Sequence, residues 1–158
     1  MIELPPNLLR DQFHKRFIPG AVFFCRNYYI WESVPKDKFL LVLNGRDEQG
    51  YAYYFLPTSQ VERVRSNSIW SAALYVIPGG SIGCFPKETG IIVTDIHKTT
   101  AGRLERKFVN PSTDDRIEFR EMMPEKIMDE IYVMIRASRE ISLDSKRAVL
   151  PSSFFSVD

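Results

Sequence analysis

The run Lys38–Asn44 (KFLLVLN) constrains this chain more than any other segment. Phe39 to Leu43 are all apolar, over a length that suits a strand, and a strand with no polar alternation is buried on both faces. The polar stretch Gly45–Gly50 (GRDEQG) follows as a turn, and Tyr51–Pro57 (YAYYFLP) reads as the next strand. Residues 38–57 therefore predict a β-hairpin.

Further strand signals lie on either side. Ala21–Ile30 (AVFFCRNYYI) is rich in β-branched and aromatic residues, after a Pro19-Gly20 break. Ala72–Ile77 and Gly90–Ile96 (GIIVTDI) read as short strands separated by a Gly/Pro-rich loop over 79–90. Arg103–Val109 (RLERKFV) alternates as an exposed strand, and Arg116–Arg120 (RIEFR) alternates charged with apolar residues. The segment 58–71 reads as a loop holding at most one helical turn, and His97–Gly102 as a polar connection. Aromatic residues make up 13% of the chain, with 11 Phe and 7 Tyr, which agrees with a strand-rich core.

Helical signals stand at the two ends. Leu8, Leu9, Phe13 and Phe17 recur at spacings near four, as in a short amphipathic helix within a lead-in, residues 1–18. Met123-Pro124-Glu125 opens the clearer helix, with Pro and acid at its first turn. Ile127, Ile131, Met134 and Ile135 then share one face. The expected organisation is one domain over 1–158: the lead-in, a β core over 19–121, a helix over 124–140 and a tail over 141–158. Its class is mainly β with α, a strongly bent sheet or partly open barrel of about six or seven strands closed by the helix. The tail, ending near Phe154-Phe155, either docks on the core or serves as an interaction segment.

With 158 residues, a single core can form without a metal or a disulfide. Cys25 and Cys84 stand far apart and in no CxxC pattern, so neither a zinc site nor a disulfide framework is expected, and both read as core thiols. The opening residues lack a charged region followed by an apolar run, and no apolar run reaches the roughly 18 residues of a membrane span. The expectation is a cytoplasmic protein with no membrane partner. Twenty-one basic against 20 acidic residues give a net charge of +1, a total in which a small basic face would vanish.

Familiar catalytic motifs are missing: no GxGxxG, no GxxxxGK[ST], no HExxH and no GxSxG. What remains is a set of polar residues at strand ends. Lys38 opens the buried strand, Thr58-Ser59-Gln60 follows the next one, and Asp95, His97 and Lys98 end a third β run. Ends of adjacent strands converge, so a cation, hydroxyls and a carboxylate or imidazole could meet at one rim. That set suits cleavage of an RNA phosphodiester without a metal or other cofactor. The reaction needs a base for the 2′-OH, a cation for the charged phosphorane and a donor to the leaving oxygen. His97 titrates nearest neutral pH and is the candidate base.

The order of these segments resembles the PemK/MazF toxins. The resemblance is carried by Pro19-Gly20-Ala21-Val22, the strand Lys38–Asn44, Leu56-Pro57-Thr58-Ser59-Gln60, Gly90–Asp95 and a closing helix, over roughly residues 19–138. It implies an SH3-like barrel, a homodimer, and a metal-independent endoribonuclease acting on single-stranded RNA and inhibited by an antitoxin protein. It also implies roles: Lys38 at the place of the family's catalytic arginine, Thr58 at its threonine with Ser59 beside it, and Lys98 near a second basic position. Lys38 and Phe39 stand where the family has arginine and proline, and lysine is a point charge where arginine forks onto phosphate oxygens.

Plainer readings stand beside these. Thr58 and Ser59 suit turn hydroxyls bonded to local backbone, Asp95 an Asx turn, and Lys38 a solvated strand flank. Arg63 and Arg65, with Arg103, Arg106 and Lys107, are candidate RNA-binding cations; the alternative for the RLERK segment is a solvated face balanced by Glu105. In function, the alternatives to a toxin nuclease are a non-catalytic barrel of the same fold that binds nucleic acid or protein, and an accessory or inhibitory protein of a mobile element.

Overall fold

The structure is a computed structural model describing residues 4–28, 35–112 and 115–155. Its centre is a five-stranded antiparallel sheet. The strands are β1 (Ala21–Tyr28), β2 (Lys36–Asn44), β3 (Tyr51–Phe55), β6 (His97–Thr100) and β7 (Ile117–Met122), in the spatial order β6-β3-β2-β1-β7. A second, two-stranded sheet pairs β4 (Leu74–Ile77) with β5 (Thr89–Ile92). The end of the first strand expected over 21–30 lies outside the described residues, as do parts of the loops at 32–37 and 111–115.

The apolar run holds the middle of the large sheet, as its composition requires. Leu40 to Leu43 are all buried. Leu41 and Leu43 pack on one side with β4, β5, α5 (Glu125–Ala137) and α6 (Leu143–Val149). Leu40 and Val42 pack on the other with α1 (Pro6–Arg16) and α4 (Ala101–Val109). The β2–β3 hairpin forms as expected, with Leu41 opposite Phe55. Asp47 fixes its turn: the carboxylate accepts from the N–H of Gln49 and of Tyr51 and from the Tyr53 hydroxyl.

Several expectations are corrected. Arg103–Val109 is not a strand but most of helix α4. Ala101, Leu104 and Phe108 fall at i, i+3 and i+7, a helical period that packs against the sheet, whereas the apparent alternation counted an exposed Arg106. The polar stretch at 97–100 is strand β6, an edge defined by its pairing with β3 rather than by its own apolar content. The segment 58–71 folds into α2 (Val61–Arg65) and α3 (Ser68–Ser71), the latter capped by Asn67, whose side chain accepts from the N–H of Ile69 and Trp70.

The tail docks on the core: Asn44 donates to the carbonyl of Ala148 at 2.7 Å, and Phe154 meets the Tyr132 ring edge-on at 5.6 Å. Among the described residues the large sheet keeps two edges, β6 and β7, and no pairing closes it into a barrel. The observed class is mixed α/β with a five-stranded and a two-stranded antiparallel sheet. Among the described residues, no helix is long and apolar enough to cross a membrane.

Candidate functional site

A cleft of about 450 Å³ opens where the starts of β2 and α2 meet the loop before β5. Its floor is aromatic. Phe24 and Phe39 are cross-strand partners in the β1–β2 register, and their rings meet edge-on at 5.1 Å. Phe85, from the 79–90 loop, meets Phe39 edge-on at 5.2 Å. Arg120 on β7 lies over the Phe24 ring at 5.0 Å. Among the described residues the walls carry Lys36, Lys38, Arg63 and Lys87 against one carboxylate, Asp37. Lys38 alternates with Leu40 and Val42 along β2, so it joins the cleft wall at the strand end and not the floor.

Thr58, Ser59 and Gln60 complete the lining. The backbone of Thr58 is clamped to Gly90 by two reciprocal hydrogen bonds, 2.9 and 2.7 Å, which tie the end of β3 to β5. The approach is close: a Cβ at position 90 would lie 2.8 Å from Leu74 Cδ1, 3.4 Å from Val61 Cγ2 and 3.7 Å from Thr58 Cγ2. The Thr58 hydroxyl oxygen accepts from the N–H of Gln60 at 3.1 Å, a local turn bond that leaves its own proton available to donate. Gln60 in turn accepts from Arg63 at 3.2 Å. Cys84 also lines the cleft, but burial pushes its thiol up to about 11, so it is protonated at neutral pH and a poor nucleophile.

The six residues expected to act together divide into two groups. Lys38, Thr58 and Ser59 share the cleft, whereas Asp95, His97 and Lys98 do not line it. The reason is register. β6 runs antiparallel to β3 with His97 opposite Tyr54, four residues before Thr58, or roughly 13 Å along a strand. His97 and Lys98 then leave β6 on opposite faces. His97 stacks on Tyr54 at 5.9 Å and bonds Asp95 at 3.2 Å; Lys98 sits over the Tyr51 ring at 4.1 Å. The His97 bond holds the Asp95 carboxyl below its usual range, against opposing desolvation. Tyr54 continues the contact inward, its hydroxyl 2.7 Å from that of Tyr28, and burial raises the pKa of both phenols.

The expected RNA-binding cations also separate. Arg63 lines the cleft. Arg65 is ion-paired with Glu62 and, at 3.1 Å, with Glu88. Arg103, Arg106 and Lys107 lie on α4, in the layer across the sheet from the cleft floor, around a different cavity. Sequence reasoning missed the aromatic floor and Lys36, Lys87 and Arg120. The floor joins three distant segments, and only the Phe24–Phe39 register reveals it. Among the described residues, no three His, Cys, Asp or Glu are grouped to hold a metal ion. Larger cavities exist, but the cleft combines edge-on aromatic rings, several cations and hydroxyls.

No family model matches this chain, and no curated protein matches it either.

Proposed function

We propose that the cleft binds single-stranded RNA and cleaves it, as a PemK/MazF-like endoribonuclease would. The observation that carries this reading is the cleft's composition: four cations against one carboxylate, over three aromatic rings, with two hydroxyls at one wall. Successive bases stack on aromatic rings, and cations follow the backbone phosphates. In the proposed reaction the 2′-OH loses its proton to Asp37, the carboxylate in the cleft. The 2′ oxygen attacks phosphorus, and the bond to the 5′ oxygen breaks. The products are a 2′,3′-cyclic phosphate and a 5′-OH end, whose proton comes from Thr58 or Ser59 as that hydroxyl regains one from the protonated Asp37 through solvent. Lys38 stabilises the charge that develops on the phosphorane. A homodimer and an inhibitory antitoxin are the partners this reading implies.

A second reading has its own support. Among the described residues the cleft lining holds no imidazole, and the Thr58 hydroxyl oxygen accepts a local turn bond that serves the backbone. Both features suit a module that binds RNA and leaves it intact.

One assay separates the readings. Wild type, Lys38→Ala and Thr58→Ala are incubated with a single-stranded RNA in EDTA, and their expression is scored for bacterial growth arrest. The nuclease reading expects cleavage and arrest, with each variant slowed about 10²–10³-fold, the cost of losing one transition-state donor. RNA bound but uncleaved leaves the binding module. RNA neither bound nor cleaved defeats both.

A further inference from the structure

We propose that the outer face of α4 is a second phosphate-binding surface, which holds single-stranded RNA that runs past the end of the cleft; this rests on the RNA reading of the cleft. Arg103, Arg106, Lys107 and Asn110 fall at i, i+3, i+4 and i+7, one face of the helix, while Ala101 and Leu104 are buried on the other. All four line a cavity of about 650 Å³ with Asn27, Pro35 and Asp115.

The sequence offers Glu105 as the acid that would neutralise this face. The structure uses it elsewhere. Glu105 borders a second cavity with Arg103 and Arg106, but its carboxylate is mostly buried and lies against Arg10 at 3.5 Å, the His14 imidazole at 3.6 Å and Arg46 at 3.0 Å. Lys107 is ion-paired with Asp115 at 2.8 Å. Among the described residues Arg103 and Arg106 are exposed and have no ion-pair partner, and the two carboxylates that border their cavities, Asp115 and Glu105, are paired with other cations. Uncompensated guanidinium groups recognise phosphate oxygens with paired donors.

The second observation is continuity. The α4 cavity and the cleft flank the same strand end from opposite faces of the sheet. Pro35 lines the first and Lys36 the second. Asn27 lines the first, and its backbone N–H donates at 3.2 Å to Asp37, which lines the second. A β-bulge between Cys25 and Tyr28, with Asn27 in the left-handed region at φ 53°, turns this end of the β1–β2 pair. Pro35 and Lys36 are neighbours in the chain, so the cleft and the α4 cavity reach the same strand end. That adjacency favours nucleic acid over an acidic protein, which would need no link to the cleft.

The test is binding as a function of RNA length. Labelled 2′-O-methyl oligoribonucleotides, which lack the attacking hydroxyl, of about four and about twelve nucleotides span the usual single-strand site sizes. Their Kd is measured by fluorescence anisotropy over a salt series, for wild type and Arg103→Ala/Arg106→Ala. Both arginines are exposed, and a thermal melt confirms that the variant folds. The expected result is about a tenfold loss for the long oligonucleotide alone. Its log–log salt slope falls by about 1.4, or about 0.7 for each of two phosphates. Equal losses at both lengths, or none, overturn the proposal. So does a polyglutamate peptide whose binding, and not that of RNA, depends on the two arginines. Lys38→Ala and Thr58→Ala serve as the separate arm: if they leave the short oligonucleotide's affinity unchanged, the cleft reading fails, independently of the α4 result.

Discussion

Replacing Gly45 with alanine tests how α1 docks on the β2–β3 turn. A Cβ at Gly45 would lie 2.0 Å from the Phe17 carbonyl oxygen and 3.1 Å from Phe17 Cδ1. A carbon–oxygen contact settles near about 3.3 Å, so the end of α1 must retreat by about 1 Å. The obstacle is backbone and cannot rotate aside. Phe17 is buried, stacked on Phe13 at 4.7 Å and edge-on to Phe23 at 5.1 Å, so its retreat opens an aromatic cluster. Overpacking a dense core typically costs about 1–3 kcal/mol, and partial loss of the Phe17 packing places the total near the top, at about 3 kcal/mol. For a chain of this length that lowers Tm by about 6–12 °C. Gly102→Ala is the matched control, because a Cβ there meets nothing within 4 Å and the residue lies in α4. It should stabilise by about 0.5–1 kcal/mol, through a stiffer unfolded chain and better helix propensity. The assay is urea unfolding with thermal melts on both variants. RNA binding per folded molecule should survive Gly45→Ala, since the cleft floor lies in the layer across the sheet. A Gly45→Ala protein as stable as wild type would refute the docking described here.

Three shorter predictions follow from the same contacts. Phe24→Leu should weaken single-stranded RNA binding by about 1–3 kcal/mol in anisotropy titrations, the usual worth of one base stacked on a ring; unchanged affinity removes stacking from the cleft's role. Asn67→Ala should cost about 1 kcal/mol in urea unfolding, because the α3 N-terminus loses its only capping side chain, and no loss would show that the cap is not energetic. Asp95 has a depressed pKa in the folded state, so its bond to His97 stabilises fully above the unfolded carboxylate range, near about 4. That contribution is lost as pH falls through the lower folded value. Wild type should therefore exceed Asp95→Asn by no more than about 1 kcal/mol at pH 7, as for an exposed pair, and the gap should shrink as pH falls below the unfolded carboxylate range. A constant gap across that range contradicts the assignment.

Local chemistry determined a good part of this molecule. Phe39–Leu43 is apolar without interruption, so its burial on both faces follows from the run alone. The turn at 45–50 and the strand after it then fix the hairpin. Ile127, Ile131 and Ile135 repeat at the helical period, so α5 was readable, and Pro57 marks where Thr58 leaves its strand. Arg103–Val109 was not readable in the same way, because Leu104 and Phe108 satisfy both a two-residue and a four-residue spacing. The packing of Ala101 and Leu104 against the sheet decided for the helix. His97–Thr100 carries no apolar signal of its own and is a strand because β3 offers it an edge.

The site followed the same division. Lys38, Thr58 and Ser59 could be named from strand ends, since a strand's end is a local fact. Register separated Asp95, His97 and Lys98 from them, and register is set by pairing between strands far apart in sequence. The same pairing put Phe24 against Phe39, and the 79–90 loop brought Phe85 to Phe39. A net charge of +1 concealed how charge is distributed. Only the fold takes Glu105 to Arg10, His14 and Arg46 and, among the described residues, leaves Arg103 and Arg106 without an ion pair, because an ion pair depends on distance in space and not on neighbourhood along the chain.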